Sequence, residues 1–192
     1  LLNMPAETVG ALVFELIARE GVTGCKKIDG KFTIILKEKD KTTIIRDRNG
    51  EGRMIYFTKD FFTDSYQGLF QFKSFVAKPD MTGITTFLKI GYIPAPGTSL
   101  AGVSKVPAGE VLTVTKSGFS FEKLFGYDEI LNAKRKEITQ YEAIETYSNL
   151  LKKSLNKRIG DAHTAGVLLS GGYDSGGNIA MTRAVYSGKL KT

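Results

Sequence analysis

The sequence predicts an α+β protein in which an antiparallel, β-rich body is followed by the start of a parallel α/β unit. Apolar residues recur at the spacing of an amphipathic helix over residues 7–20. Short β-rich runs separated by polar turns follow over residues 30–64 and 109–125. From about residue 138 the order changes to helix, short apolar strand, glycine-rich loop and helix, which is typical of a parallel α/β unit.

The β-rich body is predicted to begin with a helix that ends at Gly21 and to continue as an antiparallel meander. The inward face of the helix consists of Val9, Leu12, Val13, Leu16 and Ile17. The predicted turns lie at Lys39–Asp40, Asn49–Gly50 and Lys59–Asp60. Asn-Gly is the strongest turn signal, because both residues accept a positive φ. Since Ile34–Ile35 and Ile44–Ile45 place apolar groups on both faces of their strands, we expect the sheet to be covered on both sides.

Two further elements are expected before the architecture changes. Residues 80–100 predict a short helix followed by a proline-broken loop, and a hairpin is centred on Lys116, Ser117 and Gly118. We place a domain boundary between Phe125 and Ile138. The predicted domains are a β-rich domain over residues 1–125 and a second domain over residues 126–192.

The second domain begins with the longest predicted helix of the chain. Thr139 and Glu142 have the spacing of a capping box, and Gly160 marks the C-terminal end. The residues expected to form its buried stripe are Ile144, Tyr147, Leu151, Leu155 and Ile159. The segment "GVLLS" then predicts a central parallel strand, and the helix after the glycine loop is expected to end at Gly188.

Composition excludes several classes of protein. With 42% hydrophobic and 24% charged residues the chain is an ordinary globular protein, and it carries no membrane-spanning run and no secretory signal. We therefore expect a cytoplasmic location and no membrane partner. Cys25 and His163 are the only residues of their types, so neither a disulfide nor a zinc site is expected. The first residue, Leu1, and the end at "SGKLKT", directly after a predicted helix, both suggest a fragment.

The net charge of +7 leaves two interpretations open. It is compatible with nucleic acid or with a smaller polyanion such as ATP. Much of the basic charge lies in "NAKRKE" and "LLKKSLNKRIG", interleaved with apolar positions. A solvated helix face explains that pattern more simply, so we expect no nucleic-acid partner.

The segment "AGVLLSGGYDSGGNIA" carries the strongest functional signal. A glycine-rich turn between a strand and a helix directs backbone N–H groups and the helix dipole at one point, which predicts an anion site. Gly171 and Gly172 let phosphate oxygens approach the backbone, Ser170 and Ser175 offer hydroxyl groups, and Asp174 implies a cation such as Mg²⁺ between itself and a phosphate. The alternative is a glycine-rich turn without a ligand.

Comparison with known phosphate-binding motifs indicates which type of phosphate loop this is. The loop has neither the lysine of the Walker motif nor the spacing of the dinucleotide fingerprint. Its pattern, S-G-G-x-D-S, resembles the PP-loop ATP pyrophosphatases, which cleave ATP between the α and β phosphates and transfer AMP to an acceptor oxygen.

Two further motifs, in collinear order, make the resemblance closer. "IDGKFTIILKEKDKTTIIRDRNGEGRMIYF" is similar to the second half of the glutaminase domain of asparagine synthetases, with its "GxFAF" and "RDRxGxxPLYY" strands. "FLKIGYIPAPGTSLAGVSKVPAGEVLTV" resembles the linker of that family. Together with the glycine loop, the resemblance covers residues 20–190.

The resemblance implies an antiparallel β-sandwich of the N-terminal nucleophile (αββα) type, followed by the start of a PP-loop synthetase domain. It also implies an ATP-dependent ligase that activates a small-molecule carboxylate as its AMP ester for attack by ammonia or an amine. ATP and Mg²⁺ would be held by Leu168, Ser170, Gly171, Gly172, Asp174 and Ser175, with Asp174 at the metal. A homodimer is one of the states that the resemblance leaves open. Arg46, Asp47 and Arg48 match a segment that is mainly structural, a charge pair that anchors the strand.

The sequence also departs from the pattern of this family at several positions. The glutaminase of the family uses an N-terminal cysteine, whereas this chain starts with Leu1, and Cys25 is expected inside a loop without motif support. The arginine-glycine-proline-aspartate and asparagine-glycine-glutamate motifs are absent, and "MPAETVG" stands where the family keeps an acidic residue. We therefore expect no glutaminase activity, as in β-lactam synthetases and lasso-peptide cyclases. Tyr173 replaces an aliphatic residue and Gly176–Gly177 replace small residues, which leaves the fit to ATP open.

Two other functions remain open at this stage. A PP-loop tRNA-modifying enzyme would use the same loop, but such enzymes commonly carry it near the start of the chain. A non-catalytic scaffold would keep the β-rich domain as an interface and the loop as a vestige. In this family the acceptor carboxylate and the amine are contacted by residues that follow Thr192. The lysine that stabilises the pentacoordinate phosphorus is also expected after Thr192.

Overall fold

The computed structural model describes residues 6–192, except the side chains of residues 6–8, 129 and 130. The features assigned to Leu1 and to the start of "MPAETVG" lie outside the described residues. The chain divides into two compact units, the first ending at Asn132 and the second spanning Ala133–Thr192. Whether these units are the two predicted functional domains stays a prediction. None of the helices in the described part of the chain is long and apolar enough to cross a membrane.

The first unit combines short helices with antiparallel strands. Its helices are α1 (Ala6–Glu20), a 3₁₀ helix (Val22–Lys27), α2 (Tyr66–Leu69), α3 (Met81–Ile90) and α4 (Asp128–Leu131). Its strands are β1 (Thr33–Lys37), β2 (Lys41–Arg46), β3 (Tyr56–Phe57), β4 (Phe62–Thr63), β5 (Ser104–Lys105), β6 (Glu110–Thr115) and β7 (Gly118–Lys123). The α+β class with antiparallel sheets is confirmed.

The larger sheet has four antiparallel strands in the order β1-β2-β6-β7. Strand β2 is central, because β1 pairs with one of its edges and β6 with the other. Ile44 lies opposite Ile35 on β1 and opposite Leu112 on β6. The hairpin predicted at Lys116–Gly118 joins β6 to β7 and is confirmed.

The smaller sheet, β4-β3-β5, corrects the predicted meander. After β2 the chain leaves the first sheet, so the segment with Asn49–Gly50 does not form a hairpin between neighbouring strands. Gly50 has a φ of 67°, but Asn49 does not have a positive φ, so this is not the two-residue turn that Asn-Gly favours. The side chain of Asp47 organises the segment instead, by accepting hydrogen bonds from Asn49, Glu51 and Gly52. The turn at Lys59–Asp60 does join β3 to β4.

Two apolar clusters cover opposite faces of the larger sheet. The first joins Ile45 and Val111 to Cys25 of the 3₁₀ helix and to Ile17 of α1. The second consists of Ile44, Ile55, Phe57, Val106 and Leu112, so side chains from both sheets meet in it. The prediction that the sheet is covered on both sides is confirmed at β2, where Ile44 and Ile45 are fully buried. The layers of the first unit are therefore helical, four-stranded and three-stranded.

The predicted short helix over residues 80–100 is α3, and its ends have clear causes. The Asp80 side chain accepts a 2.8 Å hydrogen bond from the N–H of Gly83 at the N-terminus. Gly91 ends the helix with a φ of 79°, where glycine is favoured. The proline-rich loop that follows contains a cis peptide bond between Ala95 and Pro96.

The second unit contains α5 (Gln140–Ile159), β8 (Thr164–Gly166), α6 (Tyr173–Val185) and β9 (Lys189–Lys191). The predicted capping box of α5 is confirmed: Thr139 Oγ1 accepts from the N–H of Glu142, and Glu142 Oε2 accepts from the N–H of Thr139 at 2.7 Å. This contact of the exposed carboxylate with the Thr139 backbone lowers the pKa of Glu142. Gly160 ends the helix, as predicted.

The prediction of a buried stripe on α5 is wrong. No residue of the helix is buried, and Ile144 and Tyr147 are more than half exposed. Helix α6 packs on α5, but it has 13 residues against 20. At about 1.5 Å per residue, α6 is too short to cover the whole length of α5. Accordingly Leu151, Leu155 and Ile159, in the C-terminal half, are only partly exposed.

The strand before the glycine loop also differs from the prediction. Strand β8 occupies Thr164–Gly166, and most of "GVLLS" belongs to the loop. Leu168 is 94% exposed, so it does not lie in a buried central strand. Helix α6 ends at Val185 and not at Gly188. The last residues form β9, which pairs in parallel with β8 and which the sequence analysis did not predict.

Candidate functional site

The glycine loop occupies the connection between a strand and a helix inside a β-α-β unit. Residues 167–172 follow β8, and α6 begins at Tyr173. Val167 extends the contact with β9, since its N–H donates to the carbonyl oxygen of Lys191 at 2.9 Å. The loop therefore lies at the carboxyl end of β8, where ligands of α/β proteins are commonly bound.

The start of α6 leaves backbone donors available to a ligand. Gly172 is the N-cap and provides no side-chain acceptor. The N–H groups of the first turn have no intrahelical carbonyl, so they point towards the loop together with the positive end of the helix dipole. Gly171 has a φ of 83°, which only glycine adopts without strain. The loop is thus shaped to present backbone N–H groups to an anion.

Ser170 and Ser175 are brought together across the loop. Their hydroxyl oxygens lie 3.0 Å apart, and the N–H of Ser170 donates to Ser175 Oγ at 3.3 Å. Ser175 Oγ also donates to the carbonyl oxygen of Gly172 at 3.0 Å, and Ser170 Oγ accepts from the N–H of Gly172 at 3.4 Å. Both hydroxyl groups, predicted as ligand contacts, therefore lie at the same point of the loop.

Asp174 lies in the first turn of α6 with an exposed side chain. It makes no ion pair with any described residue. No group of three His, Cys, Asp or Glu side chains that could hold a metal occurs among the described residues. A magnesium ion at Asp174 would therefore need further oxygen ligands from bound phosphate and water, which is the usual way in which proteins hold Mg²⁺.

An open surface adjoins the donors. A cavity of about 300 Å³ is lined by Gly171, Gly172, Tyr173, Gly176 and Gly177. The Tyr173 side chain is fully exposed. A Cβ atom at Gly176 or Gly177 would meet nothing within 4 Å, so packing inside the chain does not require glycine at these two positions.

Leu168 and Leu169 add apolar surface to the same loop, and their side chains are 94% and 54% exposed. Apolar side chains next to phosphate donors are suited to the uncharged part of a nucleotide. All six predicted site residues lie in the loop before α6 or in the first turn of this helix. The role of each in ligand binding stays a prediction.

Arg46 and Asp47 lie in the first unit and form a polar anchor at the end of β2. The Arg46 guanidinium donates to the carbonyl oxygens of Val106 and Gly50, at 2.8 and 2.6 Å. The Asp47 carboxylate accepts four backbone N–H groups, from Phe32, Asn49, Glu51 and Gly52. The prediction of a structural role fits these contacts, but the two side chains bind backbone groups and not each other.

Burial and hydrogen bonding act in opposite directions on the two charges. Burial favours the neutral form of Asp47, but the backbone N–H donors outweigh it and hold the pKa of the carboxyl below its usual range. Burial lowers the pKa of Arg46, and the charge of Asp47 partly offsets this effect. Arg46 Nε is buried without a hydrogen-bond partner among the described residues.

Cys25 is not placed as a nucleophile would be. It lies in the 3₁₀ helix and not, as predicted, in a loop, and its side chain is fully buried in the first cluster. Burial raises the pKa of the thiol, so the reactive thiolate is disfavoured. The expectation that Cys25 has no catalytic role fits this environment.

Sequence reasoning missed two features of the site region. Strand β9 is too short and too basic to carry a periodic signal, and only its pairing with β8 reveals the β-α-β unit. The contact between Ser170 and Ser175 was also not predicted. Their spacing of five residues is a signal only once a helix is known to begin at Tyr173.

Comparison with known proteins adds one finding. The glutamine amidotransferase domain family matches residues 7–125. No curated protein matches the chain.

Proposed function

This chain belongs to the glutamine amidotransferase domain family, and on that premise we propose that it is part of an asparagine-synthetase-like ligase. The enzyme would use ATP to join a small-molecule carboxylate to ammonia or an amine. The observation that carries the proposal is the S-G-G-x-D-S loop between β8 and α6, which brings two hydroxyl groups together at the start of a helix whose first turn contains Asp174. The second unit would then be the start of a PP-loop synthetase domain.

The first unit supports the proposal through its family and its layers. We infer that its two sheets and helical layer belong to a sandwich of the N-terminal nucleophile type. The chain's own residues do not supply a thiol nucleophile, since the single cysteine is fully buried and holds its proton. The nitrogen would therefore come from free ammonia or an amine and not from glutamine hydrolysed by Cys25.

The proposed reaction has two steps. A carboxylate oxygen of the substrate attacks the α-phosphorus of ATP, so that an acyl-adenylate forms and pyrophosphate leaves. Ammonia or the amine then attacks the acyl carbon, AMP leaves with the bonding electrons, and the nitrogen loses a proton. The ligase is thus a carbon–nitrogen ligase with AMP and pyrophosphate as products.

The loop residues would act on the pyrophosphate portion of ATP. The N–H groups at the start of α6 and the hydroxyls of Ser170 and Ser175 would donate to its oxygens, which stabilises the charge that develops as pyrophosphate leaves. Gly171, with a φ of 83°, would let the backbone approach the phosphates closely. Leu168 would contact the nucleoside portion.

Asp174 is the residue that would hold Mg²⁺, which neutralises phosphate charge when it is bound. Without the ion, the carboxylate would repel the phosphates that the rest of the loop attracts. The donor set fits the ion, because a carboxylate oxygen beside phosphate oxygens is a usual magnesium environment. A cytoplasmic location and a homodimeric state remain parts of the proposal.

A tRNA-modifying PP-loop enzyme is the second candidate, and one observation favours it. The second unit has ten Lys and Arg residues but only five Asp and Glu residues, so most of the net charge lies in the unit that contains the glycine loop. Binding to RNA would weaken steeply as salt is added, whereas ATP binding by the ligase would not need RNA. A scaffold would bind neither.

Calorimetric titration of ATP with Mg²⁺ into the natural protein that carries this chain tests the proposal. We expect binding in the wild type, at least a tenfold loss in Asp174→Ala, and no change in the control Glu145→Ala, an exposed carboxylate on α5. Pyrophosphate release over a set of carboxylates then identifies the acceptor. Absence of ATP binding in the wild type would overturn the ligase.

A further inference from the structure

A second cavity lies in the first unit, and none of its lining residues is assigned to the proposed ligase reaction. Its volume is about 290 Å³. Two segments form most of its wall, residues 26–30 at the end of the 3₁₀ helix and residues 47–49 after β2. The aromatic rings of Phe32 and Phe125 complete it. The glutamine amidotransferase match gives no role to this cavity.

The wall of the cavity carries three cations, Lys26, Lys27 and Arg48. Lys27 is paired with Glu20 at 2.7 Å. Neither Lys26 nor Arg48 has a carboxylate partner among the described residues. Two positive charges without a protein counter-ion therefore face one small cavity.

Arg48 makes an aromatic contact at this cavity. Its guanidinium carbon lies 5.2 Å from the centre of the Phe125 ring, and Phe125 is 8% exposed. A cation over a buried ring is attracted by the ring electrons, which orients the guanidinium without using its N–H groups. Those N–H groups are left for an acceptor, and guanidinium binds carboxylate and phosphate in a two-point geometry.

The wall also contains two carboxylates, Asp29 and Asp47. Asp47 is buried, and its two oxygens already accept four backbone N–H groups, so its charge is compensated locally. Asp29 lies on the exposed segment between the 3₁₀ helix and β1 and has an interaction of its own. A ligand in the cavity would therefore meet the positive charges of Lys26 and Arg48 together with the exposed carboxylate of Asp29.

We propose that this cavity binds a small organic dianion, a phosphate monoester or a dicarboxylate, between Lys26 and Arg48. Two unpaired cations match two negative charges, and the volume is at the lower limit of small-ligand sites, which excludes a large ligand. Lysines in the last turn of a helix also interact favourably with its C-terminus, and this would explain Lys26 and Lys27 without a ligand. It would not explain why Arg48, on a different segment, lies at the same cavity.

The test is a titration of the full 192-residue chain, labelled with ¹⁵N, at neutral pH and constant ionic strength. The probes are inorganic phosphate and succinate, with chloride as the reference anion. We expect saturable shifts of the backbone amides of Gly30, Asn49 and Phe125. Lys26→Gln and Arg48→Gln should each weaken binding by about tenfold, since each loses a charge-assisted contact.

The control is Lys73→Gln, which removes the same charge from an exposed site far from this wall in sequence. It should leave the affinity unchanged. Because Lys26 is exposed, its replacement tests the site even if the Arg48 variant fails to fold. Saturation by phosphate alone or by succinate alone supports the proposal and identifies the anion class.

Three results would overturn the inference: shifts that never saturate, affinities equal in the wild type and both variants, or shifts confined to Gly171 and Gly172. The last result would leave the proposed function standing, since it would place the anion at the glycine loop. Conversely, loss of ATP binding in Asp174→Ala has no bearing on this cavity. The two proposals therefore fail separately.

Discussion

The hydroxyl oxygens of Ser170 and Ser175 lie 3.0 Å apart across the glycine loop. This contact joins the residue before the glycines to the first turn of α6, and it fixes both ends of the segment that would surround a phosphate. Ser175 has the larger share of the contacts, because it also accepts from the N–H of Ser170 and donates to the carbonyl of Gly172.

Replacing the serines should therefore have unequal effects. Ser170→Ala and Ser175→Ala should each weaken binding of magnesium pyrophosphate, and Ser175→Ala should weaken it more, by at least tenfold. Titration calorimetry measures both. The exposed Ser187→Ala, which follows α6, is the matched control. Equal affinities in all four proteins would show that the hydroxyls do not contact the ligand.

Two glycines of the loop region should respond in opposite ways to alanine. Gly171→Ala places a side chain at a φ of 83° and should destabilise the protein by about 1 kcal/mol. Gly176→Ala lies inside α6 with open space around the added Cβ and should stabilise it by about 1 kcal/mol. Urea unfolding of the two variants beside the wild type measures both changes. A destabilised Gly176→Ala protein would contradict the placement of this residue in a regular helix.

Asp47→Asn should be strongly destabilising. The carboxylate accepts four backbone N–H groups, and an amide has only one oxygen to accept them while its NH₂ group meets donors. We expect a loss of about 3 kcal/mol in the free energy of unfolding. Asp40→Asn, an exposed carboxylate in the turn before β2, is the control and should change little.

The pH dependence of the same residue has a defined sign. The pKa of Asp47 is held below its ordinary value of 3.8, so the folded state binds its proton less readily than the unfolded state. The stabilisation is therefore complete above pH 3.8 and is lost as the pH falls through the lower pKa of the folded state. Acid titration of wild type and Asp47→Asn, followed by circular dichroism, should show a shallower acid transition in the variant. Parallel curves would contradict the prediction.

Cys25 should be unreactive in the folded protein. The thiol is fully buried and its pKa is raised, so a thiol reagent at neutral pH should label it only after unfolding. The same protein should release no ammonia from glutamine. Rapid labelling in native buffer, or ammonia release that Cys25→Ala abolishes, would show that the cysteine is a working nucleophile.

The parts of the fold that could be predicted are those with local causes. The capping box at Thr139 and Glu142, the helix end at Gly160 and the hairpin at Lys116–Gly118 each depend on residues within a few positions of one another. The pairing of Tyr56 with Lys105 depends on residues 49 positions apart, and two-residue strands carry no periodic signal. The prediction of a single antiparallel meander is wrong because this pairing has no local signal in the sequence.

The candidate site shows the same division. The residue types and order of the loop could be read directly, because the backbone chemistry of Ser170–Ser175 is local. The length of β8 could not, since "GVLLS" is apolar enough for a buried strand but has only one parallel neighbour, β9, to pair with. The prediction of a buried stripe on α5 is wrong because burial depends on what packs against the helix, and α6 is shorter than α5.

The neighbours Ile44 and Ile45 supply the two opposite clusters of the first unit with the same side chain. A slip of β2 by one residue would exchange one isoleucine for the other, so hydrophobicity alone scarcely distinguishes the correct alignment from a shifted one. The correct register is favoured over the shifted one by the two charged residues that follow, Arg46 and Asp47. Arg46 donates to the carbonyl oxygen of Val106, and Asp47 accepts from the N–H of Phe32. A shifted strand would leave both charges buried without these partners. The two charged residues thus fix the register of the central strand.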